Sequence, residues 1–246
     1  MLSTLATDLP TLFVSDLHLT ARRPETADHF LDFLSGPVRQ AQALYILGDL
    51  FDYWAGDDDL DDPFNRRVCE ALAAVEADTF FIAGNRDFLI GERFAASSRL
   101  TLLPEATVIA LAGTATLLLH GDTLCTDDTD YLAFRATVRD PRWQREFLAL
   151  PLAERRRQIE ALRQRSETAK DGKPHALMDA NAEAIAAAFR THGASRIIHG
   201  HTHRQARHEH IVDGRNCERW VLGDWGETGN ALAADSTGCR WVAIGA

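Results

Sequence analysis

Short apolar runs that end in polar residues recur through the first third of the chain. Residues 11–14 end at Ser15-Asp16, residues 43–47 at Gly48-Asp49, and residues 79–83 at Gly84-Asn85. Segments of helical length and character, 24–35 and 64–77, separate these runs. The polar ends are 33 and 36 residues apart, which is about one strand–helix–strand unit each. The pattern predicts a mostly parallel sheet covered by helices on both faces.

The pattern changes in the second half of the chain. Residues 107–111 and 115–119 predict a hairpin, and strand patterns resume at 197–198, 219–222, 232–234 and 240–244. Between 127 and 191 only helical spacing is found, for example at Trp143, Phe147 and Leu150. We therefore expect an α/β fold in which a core of residues 1–126 and 192–246 encloses a helical insertion, residues 127–191. We call this insertion the lid.

Charge is distributed unevenly between these two parts. The net charge of the chain is −10, yet eleven basic and six acidic residues lie between Arg135 and Lys173. Such a split suggests that the lid meets an anion such as a lipid, a nucleotide or a nucleic acid. The three consecutive arginines at 155–157 could face anionic lipid headgroups. A solvated arginine-rich helix explains the same residues equally well.

Composition excludes several other classes of protein. Apolar residues make up 46% of the chain and charged residues 25%, which is ordinary for a globular protein. The longest uncharged stretch, 106–119, is too short for a membrane span. Residues 1–10 contain an aspartate and no basic residue, which does not fit a secretory signal. The four cysteines are far apart, so we expect reduced thiols and a cytoplasmic location.

The polar residues at the predicted strand ends include many metal-ligand types. Ligands of α/β sheets bind at the carboxyl ends of strands, and all the motifs except the one at His120 follow a run with the character of a parallel strand. Glycines let the backbone turn before Asp49, Asn85 and His201, and alternate residues point the same way if the chain stays extended. The seven candidate donors are Asp16, His18, Asp49, Asn85, His120, His201 and His203.

Seven donors exceed the four of a tetrahedral site and suit two ions that share a carboxylate. Asp49 is the natural bridge. One ion would then take Asp16, His18, Asp49 and His203, and the other Asp49, Asn85, His120 and His201. Imidazole and carboxylate without thiolate favour Mn, Fe or Zn. Two such ions can activate water and stabilise an in-line displacement at phosphorus. D-x-H and G-D-x-x-D are weak signals alone, and G-H-x-H directly after an apolar run is a stronger one. We expect His199 and the other five histidines to be structural or solvated.

The order of the motifs resembles that of the calcineurin-like metallophosphoesterases over residues 13–203. More narrowly, the chain is similar to the UDP-2,3-diacylglucosamine diphosphatases of bacterial lipid A synthesis. The similar segments are F-V-S-D-L-H-L at 13–19, G-D-L-F-D-Y-W at 48–54, G-N-R-D-F at 84–88, H-G-D-T-L-C-T-D-D at 120–128 and I-H-G-H-T-H-R at 198–204.

The resemblance implies a calcineurin-like sandwich of mixed sheets flanked by helices, with the lid over the active site. It also implies that UDP-2,3-diacylglucosamine is hydrolysed to UMP and the diacylglucosamine 1-phosphate, usually with Mn²⁺, by a peripheral protein at the cytoplasmic face of the inner membrane. Asn85, Arg86 and His120 would be catalytic. The implied substrate contacts are Asn85, Arg86, Asp128, Ser166, Lys170, Lys173 and His201. No nucleic acid or obligate protein partner is expected.

One position can also be argued from chemistry. Phosphoprotein phosphatases have a histidine after G-N that can protonate an alkoxide leaving group, and this chain has Arg86 there. The leaving group of a pyrophosphate is a phosphate, which is stable as an anion and needs no acid. A guanidinium instead pairs with phosphoryl oxygens, so Arg86 favours P–O–P cleavage unless it only pairs with Asp87. The alternatives are a phosphodiesterase acting on a soluble nucleotide, a nuclease, which the acidic core disfavours, and a metal-stabilised membrane scaffold without activity.

Overall fold

The structure is a computed structural model that describes residues 9–170 and 179–245, without the side chains of 165–170. The expected substrate contacts of the Ser166, Lys170 and Lys173 side chains lie outside this part of the chain, as does the predicted break at 171–174. Among the described residues, no helix is both long and apolar enough to cross a membrane. The four cysteines form no disulfide, as expected.

The described residues form eleven strands and seven α-helices. The strands are β1 Thr11–Val14, β2 Ala43–Ile46, β3 Asp78–Ile82, β4 Thr101–Leu103, β5 Ala106–Leu111, β6 Thr114–Leu119, β7 Arg196–His199, β8 Ala206–Val212, β9 Arg215–Val221, β10 Gly229–Asp235 and β11 Gly238–Ile244. The helices are α1 Pro24–Ser35, α2 Pro63–Ala73, α3 Glu92–Ser98, α4 Thr129–Val138, α5 Pro141–Leu148, α6 Leu152–Lys170 and α7 Ala182–His192. The predicted strands and helices agree with these bounds to within a few residues. β4 and β8 were not predicted.

The strands form two mixed sheets rather than one. The first has the order β11-β10-β1-β2-β3-β4, with β1 to β4 parallel and β10 antiparallel to β1. The second has the order β5-β6-β7-β9-β8, with β6, β7 and β9 parallel. The hairpin prediction is confirmed, because β5 and β6 pair in antiparallel register from Ala106↔Leu119 to Leu111↔Thr114.

Apolar side chains between and outside the sheets produce four layers. Phe13 of β1 and Leu47, which follows β2, pack against Leu118, Ile198 and Trp220 of the second sheet. Helices α1, α2 and α3 cover the outer face of the first sheet. All four residues of β1 are therefore buried, which explains its uninterrupted apolar sequence. The expected fold class, mixed sheets flanked by helices, is confirmed.

The helices between 127 and 191 divide into two groups. Ile185 and Phe189 of α7 are buried against Leu117 of β6 and Ile197 of β7, so α7 covers the outer face of the second sheet. Asn181 caps this helix by accepting the N–H groups of residues 183 and 184. The helices that lie beside the strand ends are α4, α5 and α6, and from here "lid helices" means these three.

Candidate active site

All seven candidate donors come together where the two sheets meet. Asp16, Asp49 and Asn85 follow β1, β2 and β3, and the two histidines of G-H-x-H follow β7. His120 follows β6, which pairs in parallel with β7. The expectation that the fourth motif differs from the others is therefore wrong, because β6 is antiparallel only to its hairpin partner. The carboxyl ends of parallel strands from both sheets supply the site.

The donors form two adjoining groups. Atoms of Asp16, His18 and His203 lie within 4.8 Å of one another, and so do atoms of Asp16, Asp49 and His120. In the first group, His203 Nε2 is 3.3 Å from Asp16 Oδ1 and 3.3 Å from His18 Nε2. Such spacing allows the atoms of each group to share a cation.

Asn85 and His201 complete the second group. Asn85 Oδ1 is 2.9 Å from His120 Nε2 and 2.8 Å from His201 Nδ1. Asp49 lies between the groups, with Oδ2 3.8 Å from His18 Nδ1 and Oδ1 3.7 Å from His120 Nε2. This position suits the bridge that we expect of Asp49, although Asp16 also belongs to both groups.

The hydrogen-bonding state of these donors fits a cation. Within the described part of the chain, Asp16 Oδ1 and His18 Nδ1 are buried and lack a hydrogen-bond partner. His120 Nδ1 is 2.8 Å from the carbonyl of Leu47, so in the neutral ring it donates there and Nε2 carries a lone pair. That lone pair faces the oxygen of Asn85. Converging lone pairs repel one another unless a cation or a proton lies between them.

Five of the seven donors have a left-handed backbone. The φ angles are 55° at Asp16, 48° at His18, 55° at Asp49, 70° at His201 and 58° at His203. The extended geometry expected for the D-x-H and G-H-x-H pairs is therefore wrong. Such angles cost on the order of 1–3 kcal/mol each in residues other than glycine, and they concentrate at functional sites.

Two glycines permit the close approach of these turns. A Cβ on Gly84 would lie 2.2 Å from Asp49 Oδ1, and one on Gly200 would lie 2.1 Å from Asp16 Oδ2. Both distances are far below van der Waals contact. The glycines of the G-N and G-H motifs are therefore required for packing as well as for turning.

Burial and charge shift the pKa values of the donors. Burial lowers the pKa of His18 and that of His201 to about 3. Burial raises the pKa of Asp49 to about 7. Burial opposes the charge of His203 as well, but the carboxylates of Asp16 and Asp224, at 3.3 and 3.5 Å from its ring nitrogens, raise its pKa to about 10. A cation that binds here must therefore displace the proton of His203.

Asp87 supports the loops rather than pairing with its neighbour Arg86. It is fully buried and accepts backbone N–H groups from Asp49, Leu50 and Gly84 at 3.2, 2.7 and 2.9 Å. The backbone N–H of Arg86 donates to Asp49 Oδ1 at 2.8 Å, and its side chain lines the cleft.

A cavity of about 490 Å³ opens from the donors toward the lid helices. His18, Asp49, Asn85, Arg86, His201 and His203 line one end of this cavity. Asp128, which caps α4 by accepting the N–H of Tyr131, lines it as well. The apolar part of the wall comprises Trp54, Phe88, Leu89, Phe134, Val138, Trp143, Phe147, Ile159 and Leu162.

The helical residues Trp143, Phe147 and Leu150 lie between the cavity and the core. The rings of Trp143 and Phe147 stack with centroids 4.8 Å apart and line the cavity. Phe147 and Leu150 also pack against the core beneath α1 to α3. These residues therefore join the lid helices to the core while two of them form the cavity wall.

The three arginines at 155–157 have different environments. Arg155 is 2% exposed and donates to the carbonyls of Ala55 and Leu150 and to the carboxylate of Asp58. Arg156 pairs with the buried Asp59. The expectation that all three face lipid headgroups is therefore wrong, because acidic residues of the core hold two of them. Arg157 is exposed and pairs with Glu154 on its own helix.

Two acidic residues near the site were missed at the sequence level. Asp224 Oδ2 lies 3.5 Å from Nδ1 of His203, and Asp122 accepts hydrogen bonds from Tyr131 and Arg135. Asp122 is part of the H-G-D motif, so its position offered a signal. Asp224 belongs to none of the motifs and follows β9. His199, which directly precedes the G-H motif, is buried between the Gly200 carbonyl and Arg219.

This combination of two sheets with oxygen and nitrogen donors at their joint edge is typical of metal-dependent phosphoesterases. The family model for the calcineurin-like phosphoesterases matches residues 9–205. The chain therefore belongs to the calcineurin-like metallophosphoesterase family, whose members use divalent metal ions.

Named relatives point to one branch of this family. The UDP-2,3-diacylglucosamine hydrolase of Aromatoleum aromaticum is 55% identical over 230 residues, covering 92% of this chain and 94% of the relative. The UDP-2,3-diacylglucosamine hydrolase of Escherichia coli O81 is 49% identical, covering 91% and 94%. A solved archaeal phosphodiesterase shares 12% identity with a TM-score of 0.47, covering 95% of this chain and 99% of that chain.

Proposed function

We propose that the chain hydrolyses the pyrophosphate bond of UDP-2,3-diacylglucosamine in lipid A biosynthesis. Water attacks the α-phosphorus, and the products are UMP and 2,3-diacylglucosamine 1-phosphate. The observation that carries this proposal is that one cavity joins the metal-type donors to a wall of aromatic and aliphatic side chains. A substrate with a diphosphate at one end and acyl chains at the other matches both parts. The names of the relatives support the same substrate.

The donors would hold two divalent ions, with Mn²⁺ as the proposed metal. Asp16, His18, Asp49 and His203 would hold one, and Asp49, Asn85, His120 and His201 the other. When bound, the ions supply Lewis-acid activation of water and of the phosphoryl oxygens. His120 keeps its Nε2 directed into the site because Nδ1 is 2.8 Å from the Leu47 carbonyl.

The residues beside the ions would bind the diphosphate. Arg86 lines the cavity and would donate in a planar fork to phosphoryl oxygens, which favours a phosphate leaving group. Asn85, His120 and Arg86 are thus the proposed catalytic residues. Asn85, Arg86, Asp128, Ser166, Lys170, Lys173 and His201 are the proposed substrate contacts. The stacked rings of Trp143 and Phe147 would contact an acyl chain, because they form part of the apolar wall.

A membrane-associated substrate requires access from a lipid surface. Phe134, Leu148 and Leu162 of the lid helices are large, apolar and about 40% exposed. The exposed Arg142 and Arg157 lie on the same helices. Apolar and basic residues together suit an anionic membrane surface. We therefore propose that the protein is cytoplasmic and binds the inner membrane peripherally through the lid helices, without an obligate protein partner.

Comparison of two substrates tests this function. With Mn²⁺, the proposal predicts efficient cleavage of UDP-2,3-diacylglucosamine and little cleavage of UDP-glucosamine, which has no acyl chains to fill the cavity. Asp49→Ala and His120→Ala should abolish turnover. Equal cleavage of both substrates would favour the alternative, a dinuclear phosphodiesterase acting on soluble nucleotides. Near-normal turnover by the two variants would contradict the metal mechanism.

A further inference from the structure

Two arginines, Arg135 of α4 and Arg139 directly after this helix, bind the loops that carry the candidate metal ligands. Arg139 donates to the carbonyl of Gly84 at 2.8 Å, and Gly84 directly precedes Asn85. Arg135 Nε donates to Asp122 Oδ2 at 2.7 Å, two residues after His120. Glu105, in the turn between β4 and β5, joins these two arginines. Its carboxylate oxygens are 2.6 Å from Arg135 and 2.6 Å from Arg139.

The geometry around Arg139 leaves little freedom. Its guanidinium lies over the ring of Phe88 at 5.0 Å from the centroid, and only 14% of its side chain is exposed. The Gly84 turn is fixed on its other side by Asp49, whose carboxylate a Cβ at residue 84 would overlap. Two residues after Gly84, the backbone N–H of Arg86 donates a hydrogen bond to the same carboxylate at 2.8 Å. A shift of this turn would therefore move Asn85 and Arg86 together relative to Asp49.

Arg135 holds α4 to the loop that follows His120. Asp122 is buried and also accepts the hydroxyl proton of Tyr131 at 2.7 Å. The ring of Tyr131 lies 5.9 Å from that of His201 and lines the cavity. Charge-assisted hydrogen bonds at 2.6–2.8 Å are among the stronger polar contacts in proteins, particularly where they are shielded from water. One connected set of hydrogen bonds and ion pairs thus joins α4, which forms part of the cavity wall, to the loops that carry Asn85 and His120.

We propose that Arg139, supported by Arg135 and Glu105, is a positioning residue that sets Asn85 and Arg86 at the correct distance from the cavity wall. This inference rests on the proposed function for its kinetic consequences, but its effect on metal binding is independent of substrate. Arg139 acts through the Gly84 carbonyl and is not among the residues that line the cavity. Loss of a residue that orients metal ligands typically weakens metal binding 10- to 100-fold.

The test compares Arg139→Met with Arg67→Met. Arg67 lies on α2, outside the cavity lining, where its side chain is 55% exposed and pairs with Asp28 of α1. Mn²⁺ binding to metal-free protein would be measured by calorimetry, and kcat and KM with UDP-2,3-diacylglucosamine. We expect Arg139→Met to weaken the binding of one Mn²⁺ about tenfold or more and to lower kcat by a similar factor with little change in KM. Arg67→Met should match the wild type.

Two further variants separate positioning from a merely structural role. Arg139→Lys retains the charge and should restore part of the Mn²⁺ affinity. Glu105→Gln alters a half-exposed side chain and should weaken Mn²⁺ binding in the same direction. Mn²⁺ affinity and kcat within twofold of wild type in Arg139→Met would overturn the inference, even if its Tm fell. If Arg139→Met does not fold, unchanged Mn²⁺ affinity in Glu105→Gln overturns it. A wild-type protein that binds Mn²⁺ but leaves the lipid intact would refute the proposed function, and the Mn²⁺ affinities would still decide this inference.

Discussion

The buried arginine at the start of α6 allows a quantitative test of how the lid helices are attached. In Arg155→Met the side chain retains an unbranched apolar stem but loses the guanidinium and donates no hydrogen bonds. The carbonyls of Ala55 and Leu150 lose their charged partner, and Ala55 is itself fully buried. Each unsatisfied buried carbonyl costs about 1–3 kcal/mol. The carboxylate of Asp58 is 50% exposed, so water can replace much of that ion pair.

These terms predict a loss of about 3 kcal/mol in the free energy of unfolding, within the range for breaking a buried charged pair. For a chain of this size, about 3 kcal/mol corresponds to a fall in Tm of roughly 6–12 °C. Because α6 also carries the cavity residues Ile159 and Leu162, KM for the acylated substrate should rise. Urea denaturation and steady-state kinetics would measure the two effects.

The neighbouring Arg157 provides a matched control. It is 77% exposed and pairs with Glu154 one turn away, so Arg157→Met should change the free energy of unfolding by no more than about 0.5 kcal/mol. Equal effects of the two substitutions would refute the reasoning, because burial would then not distinguish the two arginines. A loss below about 1 kcal/mol in Arg155→Met would refute it as well.

Three further predictions concern the metal site. In the metal-free protein His203 has a pKa of about 10 and Asp49 a pKa of about 7, so metal binding must release protons. The apparent Mn²⁺ affinity should therefore rise with pH between 6 and 9, and titrations in buffers of different ionisation enthalpy should show proton release; a flat profile would contradict this. Gly84→Ala should abolish activity and Mn²⁺ binding, because its Cβ would lie 2.2 Å from Asp49 Oδ1; retention of both would show that the turn can relax. Asp224→Ala should weaken Mn²⁺ binding about tenfold or more in calorimetry, because it removes the carboxylate beside His203 Nδ1; wild-type affinity would exclude this role.

The position of the site could be predicted from sequence because it follows from strand order. Buried strands end at Asp16, Asp49 and Asn85 at intervals of one strand–helix unit, and the carboxyl ends of parallel strands lie at the same edge. To predict that these residues lie at one edge, it was sufficient to know where each individual strand ends in the sequence. The residues of G-H-x-H follow β7 of the second sheet, and they lie beside His120 because β7 is parallel to β6.

Features that depend on contacts distant in sequence could not be predicted. The sequence of β8 contains mostly polar residues, because much of this edge strand is exposed, so its pattern resembles a loop. Arg155 looked like a surface residue because its partner Asp58 lies 97 residues earlier. The left-handed turns at the metal donors are stabilised by hydrogen bonds such as that from Asp16 N to the Gly48 carbonyl, which joins neighbouring strands. No local pattern reports such a bond.

The most direct test of the proposed reaction is product analysis in water enriched in oxygen-18. Purified protein would be incubated with Mn²⁺ and UDP-2,3-diacylglucosamine, and both products would be examined by mass spectrometry. The account predicts that UMP carries the label, because water attacks the α-phosphorus. Label in the diacylglucosamine 1-phosphate would contradict that geometry. Absence of cleavage, with activity only on a generic phosphodiester, would contradict the proposed substrate.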